Sequence, residues 1–262
     1  MLKAFGALVA AGVLLLGTSG RNPASMPQPP ADSGSVSILV YHRFEPTISD
    51  SMAVRTSKFA RQLRYLVDNH YLVIPLRALV SSLLHKEPIS NAVVITVDDG
   101  HRSVYTNMLP LVREYRIPIT LFIYPSAISN ASYAMTWEQL DELRQTGLFD
   151  IQSHTYWHPN FKVEKRRLAR SPYDEFVTMQ LVKPRRVLKA KLGVDADVLA
   201  WPFGIYDDDL IRQAGAAGYV AGVTLDARRV RPGDRRLALP RFLVTDALSD
   251  QRFAAILPPP NR

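Results

Sequence analysis

Val93-Val94-Ile95-Thr96-Val97-Asp98-Asp99-Gly100 is the stretch on which the fold turns. Its first five residues are all β-branched, the composition of a buried strand. The run then stops on two carboxylates and a glycine. Successive strand residues face opposite ways, so Asp98 and Asp99 cannot flank a sugar bond as the carboxylates of a glycosidase do. At a strand end that turns through Gly100, one of them could bind a metal while its neighbour receives a proton. A solvated Asp-Asp-Gly turn is the plain alternative.

Outward from this stretch the pattern repeats. Short apolar, β-branched runs lie at 36–41, 71–74, 92–97, 119–123, 149–152, 198–200, 219–223 and 242–244. Helix-like segments separate most of them. Ser57 is suited to cap a helix whose apolar positions Phe59, Leu63, Leu66 and Val67 follow helical spacing. Thr136 with Gln139 fits a capping box opening 137–146, and Gly147 stops that helix. A longer helix is expected over 174–192, kinked or divided at Pro184, and another over 207–217. Strands alternating with helices imply parallel pairing and right-handed crossovers. About seven or eight such units favour a closed or nearly closed β/α barrel over an open sheet. The 262 residues, 47% hydrophobic and 21% charged, suffice for one such domain and argue against disorder.

In β/α barrels functional side chains sit at the C-terminal ends of strands, and two further runs end there in reactive residues. Ile151-Gln152-Ser153-His154-Thr155-Tyr156-Trp157-His158-Pro159 carries two histidines four apart, which meet on one face if the backbone makes a helical turn. Imidazoles are good zinc ligands, and two of them with one aspartate would leave positions open for water and substrate. Leu199-Ala200-Trp201-Pro202-Phe203-Gly204-Ile205-Tyr206 offers rings beside Pro and Gly, which suit either a wall for a sugar face or a packed loop.

In this order the three segments resemble the polysaccharide deacetylase family, carbohydrate esterase family 4 or NodB-homology domain. Val97-Asp98-Asp99-Gly100 is similar to its F-D-D-G motif, 153–159 to its H-S/T-x-x-H-P motif, and Trp201-Pro202-Phe203-Gly204 to its P-Y/F-G motif. The resemblance runs from about Val36 to Val244 and implies a distorted (β/α) barrel of seven strands in a single α/β domain. It implies that Asp99, His154 and His158 hold a divalent metal, usually zinc, and that Asp98 is the general base. Trp201, Pro202, Phe203 and Tyr206 would contact substrate, and the Phe203 N–H would face the oxyanion. Two departures stand out. Ala200 occupies the place where many members carry an arginine, which leaves the usual orientation of the base without its residue. No histidine follows His158, so the usual C-terminal general acid is missing. Val40-Tyr41-His42-Arg43-Phe44 is similar to the subgroup acting on poly-β-1,6-N-acetylglucosamine, which places that acid early, and this implies His42. His70 and His85 read as surface positions near helix ends, and His101 as a bystander or substrate contact.

The expected function is metal-dependent N-deacetylation of an extracytoplasmic N-acetylglucosamine polysaccharide. Peptidoglycan and chitooligosaccharides are the alternative substrates, and a non-catalytic glycan-binding module is the alternative class. Residues 1–20, with Lys3 before an uncharged run, read as a secretory signal peptide or an N-terminal membrane anchor, a buried helix being the remaining reading. Residues 21–35 read as a Pro/Ser-rich linker, 36–256 as the catalytic domain and 257–262 as a tail. The chain has no cysteine, so an exported form is stable without disulfides. Its net charge of +8 is spread thinly, with denser stretches at 162–170 and 183–191 that read as solvated helix faces. Export separates the chain from nucleic acid.

Overall fold

The computed structural model describes residues 34–260; the expected leader and most of the linker lie outside the described residues. Among the described residues there are nine strands: β1 (Val36–Tyr41), β2 (Arg43–Glu45), β3 (Ala53–Arg55), β4 (Ala92–Asp98), β5 (Ile119–Ile123), β6 (Phe149–Ser153), β7 (Val198–Ala200), β8 (Ala221–Val223) and β9 (Phe242–Leu243). The helices are α1 (Thr56–Asp68), α2 (Leu76–His85), α3 (Leu109–Tyr115), α4 (Trp137–Gln145), α5 (Phe161–Arg167), α6 (Arg170–Leu192), α7 (Asp208–Ala216) and α8 (Asp250–Ile256).

Seven strands form one curled sheet in the order β8-β7-β6-β5-β4-β1-β9, and every pairing within it is parallel. The two edges approach each other through the chain between them: Leu239 bridges Val223 at the end of β8, three residues before β9 begins. The strands β1 and β4 are buried at every position, as continuous apolar runs in a helix-covered parallel sheet should be. Their register sets Tyr41 beside Val97, so His42 and Asp98 leave the sheet as neighbours at its C-terminal rim. The pair β2–β3 forms a separate ribbon just after His42.

Several boundaries differ from the sequence expectations. The run 71–74 is reduced to a single bridge, Val73 to Val93. The helix α1 starts from Arg55 with no side-chain cap, so Ser57 lies inside it. The helix α6 begins at Arg170 and continues through Pro184, which is buried: packing holds the helix together where the local rule would divide it. The Thr136–Gln139 capping box is present, and Asp207 caps α7 through the Leu210 amide. At the other end, Leu257 and Pro258 are buried against the domain, so the expected tail starts later than 257. Among the described residues no helix is long and apolar enough to cross a membrane.

Candidate active site

Asp98 is the last residue of β4, and the chain then takes two left-handed steps, with φ of 73° at both Asp99 and Gly100. Aspartate tolerates this conformation better than most residues. Gly100 suits the second of these steps, and a Cβ there would lie 2.9 Å from the movable tip of Ile123. The consequence is that two adjacent carboxylates, which a straight strand would send apart, face the same imidazole. His154 Nε2 lies 3.8 Å from Asp98 Oδ2 and 3.6 Å from Asp99 Oδ1.

His154 follows β6 directly and His158 closes the turn after it. That turn is not the helical one expected, since Thr155 and His158 have φ of 63° and 60°. It nevertheless brings the two rings to 4.6 Å, edge on. His158 Nε2 is 3.8 Å from Asp99 Oδ1, and the ligand atoms of Asp99, His154 and His158 all lie within 4.8 Å of one another. These separations exceed hydrogen-bond length. They match ligands bound about 2.0–2.2 Å from a shared ion. The ring Nδ1 of His154 is 2.8 Å from the Ala200 carbonyl oxygen, to which it donates, and this turns the Nε2 lone pair toward Asp99. Burial pushes the His154 pKa down to about 3, against the pull of Asp98, and lowers that of His158 as well. Both rings are therefore neutral near pH 7, the form that coordinates metal. The donor set fits one divalent ion.

Asp98 is buried and has a partner absent from the sequence reading. Arg241, fully enclosed just before β9, donates from both terminal nitrogens to the two carboxylate oxygens at 2.8 Å each. Its remaining donors reach the Thr224 carbonyl at 2.9 Å and Thr96 Oγ1 at 3.0 Å. Burial alone would raise the Asp98 pKa, but the Arg241 charge, with His154 and the hydrogen bonds, holds it well below the ordinary carboxylate range. The arginine missing at position 200 is thus supplied from another strand. Its signal was a lone charge inside the apolar run Leu239-Pro240-Arg241-Phe242-Leu243, because a cation so placed must find a partner.

His42 leaves β1 into the same rim. It is buried, and its Nδ1 has no hydrogen-bond partner. Burial lowers its pKa while Asp98 and Asp99 oppose the change. The aromatic expectations divide. Trp201 is fully enclosed and donates its indole N–H to the Leu237 carbonyl at 2.8 Å, and Pro202 is buried, so both pack into the domain and do not offer the expected sugar contact; a wall and a core present the same residue types. Phe203 is 56% exposed, with its ring 4.5 Å from that of His158. Tyr206 is half-buried and its hydroxyl is committed to Asp226 at 2.9 Å. Tyr124, unmarked in the sequence, also lies beside His158, with its ring 5.5 Å away and its hydroxyl joined to Tyr133. Tyr133 in turn stacks on His101, whose Nδ1 meets Ser103 Oγ at 2.8 Å. His70 and His85 lie at the C-terminal ends of α1 and α2, far along the chain from these groups.

The polysaccharide deacetylase family profile matches residues 85–222, more than half of the chain. A putative polysaccharide deacetylase of Bacillus subtilis, YxkH, is 25% identical over 221 residues, covering 84% of this chain and 75% of its own. The poly-beta-1,6-N-acetyl-D-glucosamine N-deacetylase of Staphylococcus epidermidis is 26% identical over 199 residues, covering 74% and 68%. Among solved structures, IcaB from Ammonifex degensii superposes with a TM-score of 0.75 at 26% identity, over 85% of this chain and 96% of that one. The Streptococcus pyogenes deacetylase PplD, solved with acetate, shares the fold with a TM-score of 0.76 at 21% identity, over 86% and 99%.

Proposed function

Because the chain belongs to the polysaccharide deacetylase family, hydrolases of N-acetyl amide bonds, we propose that it releases acetate from a poly-β-1,6-N-acetylglucosamine outside the cytoplasm, using zinc held by Asp99, His154 and His158. The observation that carries this reading is the convergence of both β4 carboxylates on His154, one beside the second imidazole and the other clamped by Arg241. A relative at 26% identity, the staphylococcal deacetylase of that polymer, supports the substrate.

Bound there, the ion would polarise the acetamide carbonyl and lower the pKa of a water beside it. Asp98 takes the proton of the attacking water. The Arg241 charge favours its ionised form, and the two-point grip of Arg241 fixes which way its oxygens face. The turn at 202–204 uses the Gly204 and Ile205 amides for its own bonds to Trp201 and Pro202, leaving the Phe203 N–H to face the developing oxyanion. An amide nitrogen leaves only when protonated, and His42 delivers that proton. Its buried, unbonded Nδ1 supports the role, and Asp98 and Asp99 favour its imidazolium against the burial that lowers its pKa. The exposed ring of Phe203 and the joined Tyr124 and Tyr133, all grouped about His158, would contact the sugar.

The test is to incubate the protein with β-1,6- and β-1,4-linked N-acetylglucosamine oligomers and with peptidoglycan, following acetyl loss by mass spectrometry. Faster loss from the β-1,6 oligomers is expected. Preference for peptidoglycan or the β-1,4 oligomers would move the enzyme to another substrate. No release from any of them, with binding retained, would make it a glycan-binding module.

A further inference from the structure

The turn that carries His158 does not satisfy its own amides. Its backbone bends twice through positive φ, and three successive N–H groups donate to side-chain oxygens instead of to main-chain carbonyls. Those of Tyr156 and Trp157 both reach Gln180 Oε1, at 3.1 Å each, and that of His158 reaches Thr155 Oγ1 at 3.2 Å. Consecutive amides that converge on one point form a concavity suited to an anion. Here a neutral carbonyl oxygen from a distant element fills it.

Gln180 is fully enclosed in the middle of α6. A buried side-chain amide is expensive without partners, and its oxygen spends both lone pairs on this turn. The same face of α6 touches the turn twice more, from Phe176 four residues earlier and Lys183 three later, the spacing that aligns side chains along a helix. The Phe176 ring lies 5.5 Å from that of Trp157, and the Lys183 ammonium sits 3.8 Å from the centre of the Tyr156 ring. Pro184 lacks the N–H that would otherwise bond the Gln180 main-chain carbonyl. Both Phe176 and Lys183 hold the outer side of the turn by ring contacts, which permit sliding. The bifurcated bond to Gln180 ties the Tyr156 and Trp157 amides together, while the Ser126 amide holds the Tyr156 carbonyl at 3.1 Å.

We propose that Gln180 is a positioning residue for the metal centre: through the Tyr156 and Trp157 amides it sets His158 at the distance from Asp99 and His154 that one ion needs. The inference rests on the metal reading above. Without the acceptor, two inward-facing donors lose their partner and the turn relaxes about Thr155 and His158, which already occupy an unfavourable backbone region.

The experiment titrates the metal-stripped full chain with Zn2+ and Co2+ by calorimetry, for the wild type and for Gln180→Met, Gln180→Asn, Gln180→Glu and His154→Ala. Gln180→Met keeps the volume and removes the acceptor; Gln180→Asn withdraws it by one methylene and serves if the Met variant does not fold. Both should bind metal about 10–100-fold more weakly, the range for residues that orient a metal ligand. Gln180→Glu, which keeps an acceptor in the same shape, should restore affinity toward the wild-type value. With saturating metal, the Asn variant should regain most of its kcat at unchanged KM. If the Met or Asn variant, folded by circular dichroism, binds metal like the wild type, Gln180 has no positioning role. Equal weakening in the Glu variant would assign the effect to packing and overturn the inference too. If the wild type binds no more metal than His154→Ala, the metal reading itself falls, and the inference with it.

Discussion

Strands β4 and β6 deliver their residues in runs, Asp98 with Asp99 and His154 with His158, whereas β1 and β9 deliver one residue each, His42 and Arg241. The first pair of strands lies inside the segment matched by the family profile, residues 85–222, and the second pair lies outside it. In the first half the geometry is local: left-handed steps at Asp99, Thr155 and His158 create it within a few residues of the strand ends. In the second half it is made by pairing, since β1 lies between β4 and β9 and so holds both contributors beside Asp98. A ligand set built by local turns needs its residues at fixed spacing. A charge that must only lie against a carboxylate can come from any strand that reaches it, and here it comes from Arg241 instead of position 200.

The largest effect that separates the halves should follow from His154→Ala, which is expected to remove bound metal and deacetylation together; stoichiometric metal with full activity would dissolve the first half as drawn. Asp98→Asn should keep the metal and lose about 10²–10⁴-fold in kcat, the usual range for a general base. A near-normal rate would take the base role from Asp98. The second half is probed by His42→Ala, which should retain the ion and lose a comparable factor, about 10²-fold or more, on the amide. The loss should be smaller on an activated ester whose leaving group needs no proton. Equal losses on both substrates would remove His42 from the acid role.

Stability offers a finer test. Arg241→Met leaves Asp98 buried and unpaired, a change that typically destabilises by about 3–5 kcal/mol. Urea unfolding at pH 7 should show that loss, and adding Asp98→Asn should recover part of it. The pH dependence has a definite sign. The folded Asp98 pKa lies below its unfolded value, so the stabilisation it gives is complete above about pH 4 and fades as the pH falls below that. The gap in stability between wild type and Asp98→Asn should therefore narrow on acidification; a gap that widens would contradict the Arg241 clamp. The smallest expected change is at Phe203→Ala, a rise in KM of roughly tenfold or less with little change in stability, because that ring is exposed.

What could be read from the sequence follows the same division. Buried parallel strands announce themselves as unbroken β-branched runs, and the β/α alternation gave the barrel. The capping box at Thr136 is a local code and was legible. Residues 71–74 have strand composition but lack a neighbour along most of their length, so only Val73 pairs. Trp201 sits in a motif yet fills the core, because nothing in a ring's identity says which side of a strand end it faces. The partners of Arg241 and Gln180 were not legible for a common reason: they lie 143 and 23–24 positions away respectively, across contacts that only the folded chain creates.

The bond between Asp98 and Arg241 also has a bearing on how the molecule reaches its native state. It closes a span of 143 positions, and contacts so distant in sequence form late, after nearer ones have reduced the entropy of closing the loop. Until β9 docks beside β1, the β4 carboxylate has no counter-charge and cannot be enclosed without penalty. Docking of β9 would then enclose Asp98 and supply its counter-charge in one step.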